Sequence, residues 1–294
     1  MDIHLVNTII ANQFPELVIV NTALIPEGGD SYTFDINGNI IFKFPISSES
    51  EKRLLNEYHS LLYLSQKLPG YVAKPIYYGE PSSLFPYSFT GQQKLGGESG
   101  EKRRACPQDW AEMAKTAGNI FSQLHISHAG ELAFQNLPQL SLESPLDKLN
   151  QVILYKKLLQ HVNDPNDAIQ PYLNGTAGLP SASRLAPVLS HGDVKGEHIL
   201  VSRYAFEITG IVDWADICLA DPIVDFSGFV IWLGPGFAKD ILDYYQPQVD
   251  DHFLARAVFY ARCSTLIHLG ESLAGRSDAP RQLLLNQLAA AFSS

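Results

Sequence analysis

The sequence predicts an α+β fold of two lobes, a small β-rich lobe over residues 1–96 and a larger helical lobe over residues 97–294. Short apolar stretches bounded by turn residues dominate the first lobe, whereas longer stretches with apolar residues at helical spacing dominate the second. The polar, glycine-rich stretch 94–100 (KLGGESG) breaks both patterns. We therefore expect a hinge at this stretch and a cleft beside it.

The first lobe is predicted to contain two helices and five strands. Asn37-Gly38 separates two strand patterns, and this dipeptide favours a tight hairpin because both residues tolerate positive φ. The predicted helices are 2–13 and 49–67, and the predicted strands are 18–26, 31–36, 40–44, 72–79 and 86–92.

The second lobe is predicted to be mainly helical, with two short strands near 198–202 and 206–212. Residues 166–187 are rich in Pro, Gly, Ala and Ser and indicate a loop. The predicted helices are 108–127, 144–161, 223–232, 236–245, 251–273 and 278–292.

Composition narrows the possible functions. The net charge of −10 argues against nucleic acid as a general partner, because polyanion binding needs a basic surface. The acidic charge could favour a cationic small molecule, although solubility alone would account for it. No apolar run is long enough to cross a membrane and the N-terminus lacks a signal-peptide pattern, so a cytoplasmic protein without a membrane partner is expected. Three widely spaced cysteines form no CxxC pair and indicate reduced structural thiols.

Three segments carry the strongest chemical signal. They are HGDVKGEHIL at 191–200, IVDW at 211–214 and DPIVDF at 221–226. Together they resemble the catalytic loop and metal-binding segment of kinases. Phosphoryl transfer needs a carboxylate near the acceptor hydroxyl and ligands that hold Mg²⁺ across the phosphates. Asp193 stands where the first carboxylate belongs, and Asp213 and His198 stand where the metal ligands belong.

The combined pattern HGDxxxxHIL, GIVDWxD and DPxxDF resembles the aminoglycoside phosphotransferase family, a group of small-molecule kinases with a protein-kinase-like fold. Its aminoglycoside 2″-phosphotransferase and macrolide 2′-phosphotransferase branches match best, because members of both carry histidine where His198 stands. The resemblance implies ATP or GTP as phosphate donor, Mg²⁺ as cofactor and a monomer. It also implies that Asp225 and His191 support the catalytic loop.

The resemblance extends into the first lobe. Lys43 lies among apolar residues in a predicted strand, and Glu57 lies on the next predicted helix. In kinases such a lysine contacts the nucleotide phosphates and pairs with such a glutamate. The loop before the second strand could bring backbone amides to the phosphates through Gly28, Gly29, Asp30 and Ser31. The linker residues Gln93 and Leu95 resemble the family's hinge, which binds the nucleotide base.

The acceptor is less defined by the sequence. An aminoglycoside carries several ammonium groups and needs carboxylates, for which the candidates are Glu197, Asp216, Asp240, Asp243 and Glu271. A macrolide would need a wide apolar cleft, which the aromatic residues of 226–245 could line, although their helical spacing favours a core. His268, on the predicted helix 251–273, could face the cleft, but a core position is favoured for it.

Three other readings stay open from the sequence. A metabolic amino-alcohol or sugar would need the same catalytic residues as an antibiotic acceptor. A nucleotide-binding pseudokinase is disfavoured, because the four residues expected to act on the nucleotide are all present. A protein kinase is disfavoured, because HRD, DFG and APE segments are absent from the sequence.

Overall fold

The fold is described by a computed structural model for residues 1–26, 30–127, 137–140, 159, 167–178 and 180–293. It confirms the predicted α+β class, with a β-sheet in the N-terminal part and helices in the C-terminal part. The strands are β1 Thr22–Ile25, β2 Ser31–Ile36, β3 Ile40–Pro45, β4 Pro75–Gly79, β5 Phe89–Gln93, β6 Glu98–Ser99, β7 Val188–Ser190, β8 Ile199–Val201, β9 Ile208–Ile211 and β10 Cys218–Ala220. The helices are α1 Ile3–Gln13, α2 Ser48–Lys67, α3 Trp110–Ile126, α4 Gln170–Leu173, α5 Ile223–Leu233, α6 Pro235–Leu242, α7 Phe253–Leu273 and α8 Arg281–Ala291.

The N-terminal sheet has five antiparallel strands in the order β1-β2-β3-β5-β4. Asn37 and Gly38 have φ values of 57° and 77°, which confirms the hairpin between β2 and β3. One face of the sheet packs on α1 through a phenylalanine-rich core that includes Phe34, Phe42 and Phe44. In this register Thr33 lies opposite Lys43, which places the lysine in the middle of the sheet.

Helix α2 starts at a capping box, in which the Ser47 hydroxyl accepts from the Ser50 amide and the Ser50 hydroxyl accepts from the Ser47 amide. Its buried face carries Leu54, Leu61 and Leu64 at helical spacing. Glu57 lies on that face with only 2% of its surface exposed, so it needs a partner within the protein.

The C-terminal part is built around α5, which is buried along almost its whole length and packs against α6, α7 and α8. Two small sheets, β6-β8-β9 and β7-β10, lie beside this bundle. The predicted helix 144–161 lies outside the described residues, apart from Leu159. None of the helices in the described part of the chain is long and apolar enough to span a membrane.

The sequence patterns missed the shortest elements. Strands β6, β7 and β10 have two or three residues each, and α4 has four residues within the predicted loop 166–187. Such segments are too short to show a period, so only their partners reveal them.

The chain passes from the first sheet to the second between Gln93 and Glu98. The segment between α2 and β4 contacts the second sheet, because the Ile211 amide donates to the Tyr71 carbonyl at 2.7 Å. The division into lobes at residues 96 and 97 stays a prediction.

Candidate active site

Asp193 lies on the loop between β7 and β8, and His191 holds that loop in place. The Asp193 amide donates to His191 Nδ1 at 3.3 Å, so this nitrogen is the acceptor. The other ring nitrogen, Nε2, therefore carries the proton and donates to the Val212 carbonyl at 3.1 Å. His191 thus joins the loop of Asp193 to the strand that leads to Asp213.

Asp225, in the first turn of α5, holds the start of the same loop. Its two oxygens accept the amides of His191 and Gly192 at 2.9 and 3.0 Å. The carboxylate is fully buried and its third partner is His125 Nε2 at 3.0 Å. His125 Nδ1 lies 2.6 Å from the Tyr245 hydroxyl, and burial raises the pKa of Tyr245, so the hydroxyl keeps its proton and donates.

The middle of the loop lies directly on α5 at Gly228. A methyl group on Gly228 would clash with the Val194 carbonyl oxygen. Asp225 and Gly228 are three residues apart and so lie on one face of the helix. This face of α5 fixes the loop at its start and in its middle.

Asp213 follows β9 with φ and ψ both at 65°, a left-handed conformation that is costly for a residue other than glycine. Its side chain is half exposed, and it lies between the basic groups of the cleft. Partial burial would raise the pKa of Asp213, but the positive charges around it, Lys43 first, outweigh it and hold this pKa below its ordinary value.

Lys43 lies between Glu57 of α2 and Asp213. Its Nζ lies 2.7 and 2.9 Å from the two carboxylate oxygens of Glu57 and 3.8 Å from Asp213 Oδ1. Burial would lower the pKa of Lys43, but the two carboxylates outweigh it, and its pKa is raised. The structure therefore brings Lys43, Glu57 and Asp213 together across the cleft.

His198 completes this group in a defined tautomer. Its Nδ1 lies 2.8 Å from the Asp193 carbonyl oxygen and donates to it. Its Nε2 lies 3.2 Å from Asp213 Oδ2. Burial lowers the pKa of His198 to about 4, so the ring is neutral at pH 7 and Nε2 carries a lone pair. Two lone pairs that face each other at this distance repel unless a cation lies between them.

These two residues therefore fit a bound divalent cation. Within the described ranges, no group of three or more His, Cys, Asp or Glu side chains could hold a metal ion by itself. Mg²⁺ in nucleotide sites commonly takes one or two protein ligands and completes its shell with phosphates and water. A carboxylate and a neutral imidazole beside Lys43 match that requirement.

Lys195 is a site residue that the sequence reasoning missed. Its Nζ lies 2.8 Å from Asp193 Oδ2. Burial would lower the pKa of Lys195, but Asp193 outweighs it and raises this pKa, so the ammonium group is charged at pH 7. Its position two residues after Asp193, within the strongest motif, was a signal that could have identified it.

The five acidic candidates for acceptor binding have different positions in the structure. Glu197 lies near Asp193 and Lys195, and both its oxygens lie 3.3 Å from the Gln287 amide nitrogen. Glu271 lies one turn beyond His268 on α7. His268 is exposed and interacts with Asp193, Glu271 and Lys195, so its interpretation as a core residue is wrong.

The other three acidic candidates have different surroundings. Asp216 is bound by Arg53, whose Nη2 lies 2.7 Å from Asp216 Oδ1. Asp240 and Asp243 lie at the end of α6, which packs on α3. Neither appears among the hydrogen bonds and ion pairs found around Asp193 in the described part of the chain, so their acceptor role stays a prediction without support from contacts.

The predicted nucleotide contacts are partly described. Gly28 and Gly29 lie outside the described residues. Asp30 binds Arg53 through Nη1, and Ser31 opens β2 opposite Pro45. The main-chain amide of Gln93 donates to the Lys74 carbonyl at 2.9 Å, so this donor is already paired. Leu95 packs toward Gly210 in the second lobe.

The aromatic residues of 226–245 mostly form core. Phe226, Phe229, Trp232 and Phe237 are fully buried, and Tyr245 is 9% exposed. This confirms the core interpretation for these five residues, whereas Tyr244 is 40% exposed.

Solved structures share this fold. The GDP complex of aminoglycoside 2'-phosphotransferase-IIIa is 22% identical, with 99% of this chain and 98% of that one covered and a TM-score of 0.78. ADP-bound aminoglycoside phosphotransferase APH(2'')-Ib is 17% identical over 99% and 97% of the chains, with a TM-score of 0.63. The macrolide 2'-phosphotransferase MphH of Brachybacterium faecium is 16% identical over 98% of both chains, with a TM-score of 0.64.

The fold is thus that of a kinase-like phosphotransferase, an enzyme that moves phosphate onto a hydroxyl group. Residues 22–257 match the family model described as the phosphotransferase enzyme family, and the chain belongs to that family. Both branches that the sequence resembles are represented among the matching structures.

Proposed function

We propose that this enzyme transfers the γ-phosphate of ATP or GTP to a hydroxyl of an aminoglycoside-type, polycationic acceptor. The observation that carries the proposal is the convergence of Lys43, Glu57 and Asp213 beside the Asp193 loop. Neighbouring structures are named for complexes with GDP and kanamycin, and with gentamicin. The net charge of −10 and the carboxylates of Glu197 and Glu271 suit such an acceptor.

In this proposal each residue has a distinct task. Lys43, held by Glu57, neutralises the phosphates, and Asp213 with His198 would hold Mg²⁺, which supplies charge stabilisation across the triphosphate. Asp193 accepts a hydrogen bond from the acceptor hydroxyl and aligns it for in-line attack. Lys195 Nζ, 2.8 Å from Asp193 Oδ2, orients the Asp193 carboxylate.

The supporting residues act at a distance from the reacting atoms. Asp225 and His191 fix the catalytic loop, so the Asp193 carboxylate is presented in one orientation. The loop 28–31 and the linker residues Gln93 and Leu95 are proposed to contact the phosphates and the base. Neighbours solved with GDP and with ADP support either purine as donor.

We further propose a cytoplasmic monomer that needs neither nucleic acid nor a membrane. Free cysteines, two of them buried, suit a reducing compartment that also supplies the nucleotide donors.

The test is a coupled assay that measures nucleoside diphosphate release with ATP and GTP. The acceptors are aminoglycosides, macrolides and small amino-alcohols, and mass spectrometry identifies the phosphorylated product. We expect a gain of one phosphate on an aminoglycoside. Selective transfer to a macrolide or to an amino-alcohol would replace the proposed acceptor, and nucleotide binding without transfer to any acceptor would indicate a pseudokinase.

A further inference from the structure

Arg53 on α2 contacts two carboxylates that come from different parts of the chain. Its Nη1 binds Asp30, which ends the loop before β2, and its Nη2 lies 2.7 Å from Asp216 Oδ1, in the turn that follows Asp213. Arg53 and Asp216 are 163 residues apart in sequence. One guanidinium group therefore joins Asp30, helix α2 and the turn that follows Asp213.

A second contact from α2 reaches the same turn. Glu57 lies one helical turn after Arg53 and so projects from the same face of α2. Its Oε1 accepts the Trp214 amide at 3.3 Å and also binds Lys43. The turn at Trp214–Asp216 is thus held at its first residue by Glu57 and at its last by Arg53.

This turn needs such support because of the residue that precedes it. Asp213 has a left-handed backbone, and a non-glycine residue keeps such a conformation only where its surroundings hold it there. If the turn were released, Asp213 would relax toward an ordinary conformation and its carboxylate would turn away from Lys43 and His198.

We infer that Arg53 is a positioning residue that holds Asp30 at the start of β2 and, through Asp216, orients the Asp213 carboxylate. The inference rests on the role of Asp213 under the proposed function. The ion pairs are half exposed, so they contribute little to global stability, and their effect should appear in nucleotide binding.

The test compares Arg53→Ala, Asp30→Asn, Asp216→Asn and the double variant Arg53→Ala/Asp216→Asn. Calorimetry measures the Kd of ADP or GDP with Mg²⁺ in the absence of acceptor, and steady-state kinetics separate kcat and both KM values. Lys115→Ala is the matched control, since it removes an exposed ion pair with Glu112 on α3.

We expect Arg53→Ala and Asp216→Asn each to weaken Mg²⁺-nucleotide binding about tenfold and to lower kcat, while the acceptor KM stays unchanged. The double variant should be no worse than Arg53→Ala, because Arg53→Ala already removes the contact with Asp216. Asp30→Asn should raise the nucleotide KM, and the Lys115→Ala control and all thermal midpoints should match wild type.

Unchanged nucleotide binding in Asp216→Asn would overturn the inference, because the contact with Arg53 would then have no effect on the site. Tighter binding would also overturn it, because Arg53 would then be a direct phosphate ligand that Asp216 restrains. Additive losses in the double variant would also overturn it. A wild-type chain that binds nucleotide but phosphorylates no acceptor would contradict the proposed function alone, since the binding comparison needs no acceptor. A wild-type chain that binds no nucleotide would overturn both.

Discussion

The side chain of Asp193 is 37% exposed, whereas its main chain is held by hydrogen bonds at both the amide and the carbonyl. Its amide is bound by His191, its carbonyl by His198 and its carboxylate by Lys195. The side chain can therefore meet an acceptor without the loop having to reorganise, which is how preorganised sites reduce the barrier to reaction.

Replacing Asp193 should separate chemistry from nucleotide binding. We expect Asp193→Ala to lower kcat by about 10²–10⁴, the usual range for loss of a proton acceptor, while the Kd for Mg²⁺-nucleotide changes little. Rapid-quench kinetics and calorimetry would measure the two quantities. Asp251→Ala removes an exposed aspartate on the C-terminal side and should behave as wild type. Near wild-type turnover in Asp193→Ala would refute the role given to this carboxylate.

His198 should make folding stability depend on pH. Its pKa is about 4 in the folded protein and near 6.5 in the unfolded chain, so the unfolded state binds the proton first as pH falls. Its contribution is fully present above pH 6.5 and is lost as pH falls toward 4. Between pH 6.5 and 5 we expect a loss of about 2 kcal/mol in the free energy of unfolding, at about 1.4 kcal/mol per pH unit.

Urea unfolding without metal or nucleotide, at pH 7.5, 6.5 and 5, would measure this effect. His198→Asn should lose less stability than wild type over the acidic range, and His59→Asn, at an exposed position on α2, should follow wild type. Parallel losses in wild type and His198→Asn would show that other groups control the acid response.

At the scale of elements, α5 holds the loop that carries Asp193. Asp225 accepts two loop amides, and behind it lie His125 and Tyr245, all three buried. A buried chain of hydrogen bonds is costly to interrupt, because the partner that remains has no water to replace the lost bond.

Tyr245→Phe removes the hydroxyl and leaves His125 Nδ1 without its donor. We expect the free energy of unfolding to fall by about 1–3 kcal/mol, the cost of one unsatisfied buried polar group. Guanidinium denaturation would measure it. Tyr204→Phe, at a side chain that is 96% exposed, is the control and should change nothing. Equal stability of the two variants would show that the buried contact contributes nothing.

Gly228→Ala tests the contact between α5 and the loop. Alanine is favoured over glycine inside a helix by about 1 kcal/mol, so an unconstrained site would gain stability. Here the added methyl group would meet the Val194 carbonyl, and we expect lower stability and at least a tenfold loss of kcat. Gly178→Ala, which meets nothing within 4 Å, is the control. A stabilised, fully active Gly228→Ala would disprove the close contact.

The sequence allowed good prediction of elements and contacts that are local. Helix α2 and the Asn37-Gly38 hairpin follow from the spacing of apolar residues and from turn residues. The pairing of Lys43 with Glu57, 14 residues apart, is predicted from the resemblance to kinases. His125 and Asp225 are separated by 100 residues, and neither has a local pattern that indicates the other. The contact exists because α3 and α5 pack together, and periodicity does not determine which side chains meet.

At the scale of the whole molecule, the proposed active site contains residues from both the N-terminal and the C-terminal part of the chain. Lys43 and Glu57 come from the first sheet and α2, whereas Asp193, His198 and Asp213 come from the second part. A ligand that binds all of them should stabilise the folded state of both parts together.

The link between Glu57 and Trp214 has a consequence for how this site tolerates change. Its donor is a main-chain N–H, so every amino acid except proline supplies it equally at position 214. The indole can be replaced, at a cost in packing, without removing the bond that joins the two halves of the enzyme. At this end of the turn, only the glutamate side of the bond depends on the identity of a side chain, whereas the contact of Arg53 with Asp216 at the other end depends on both side chains.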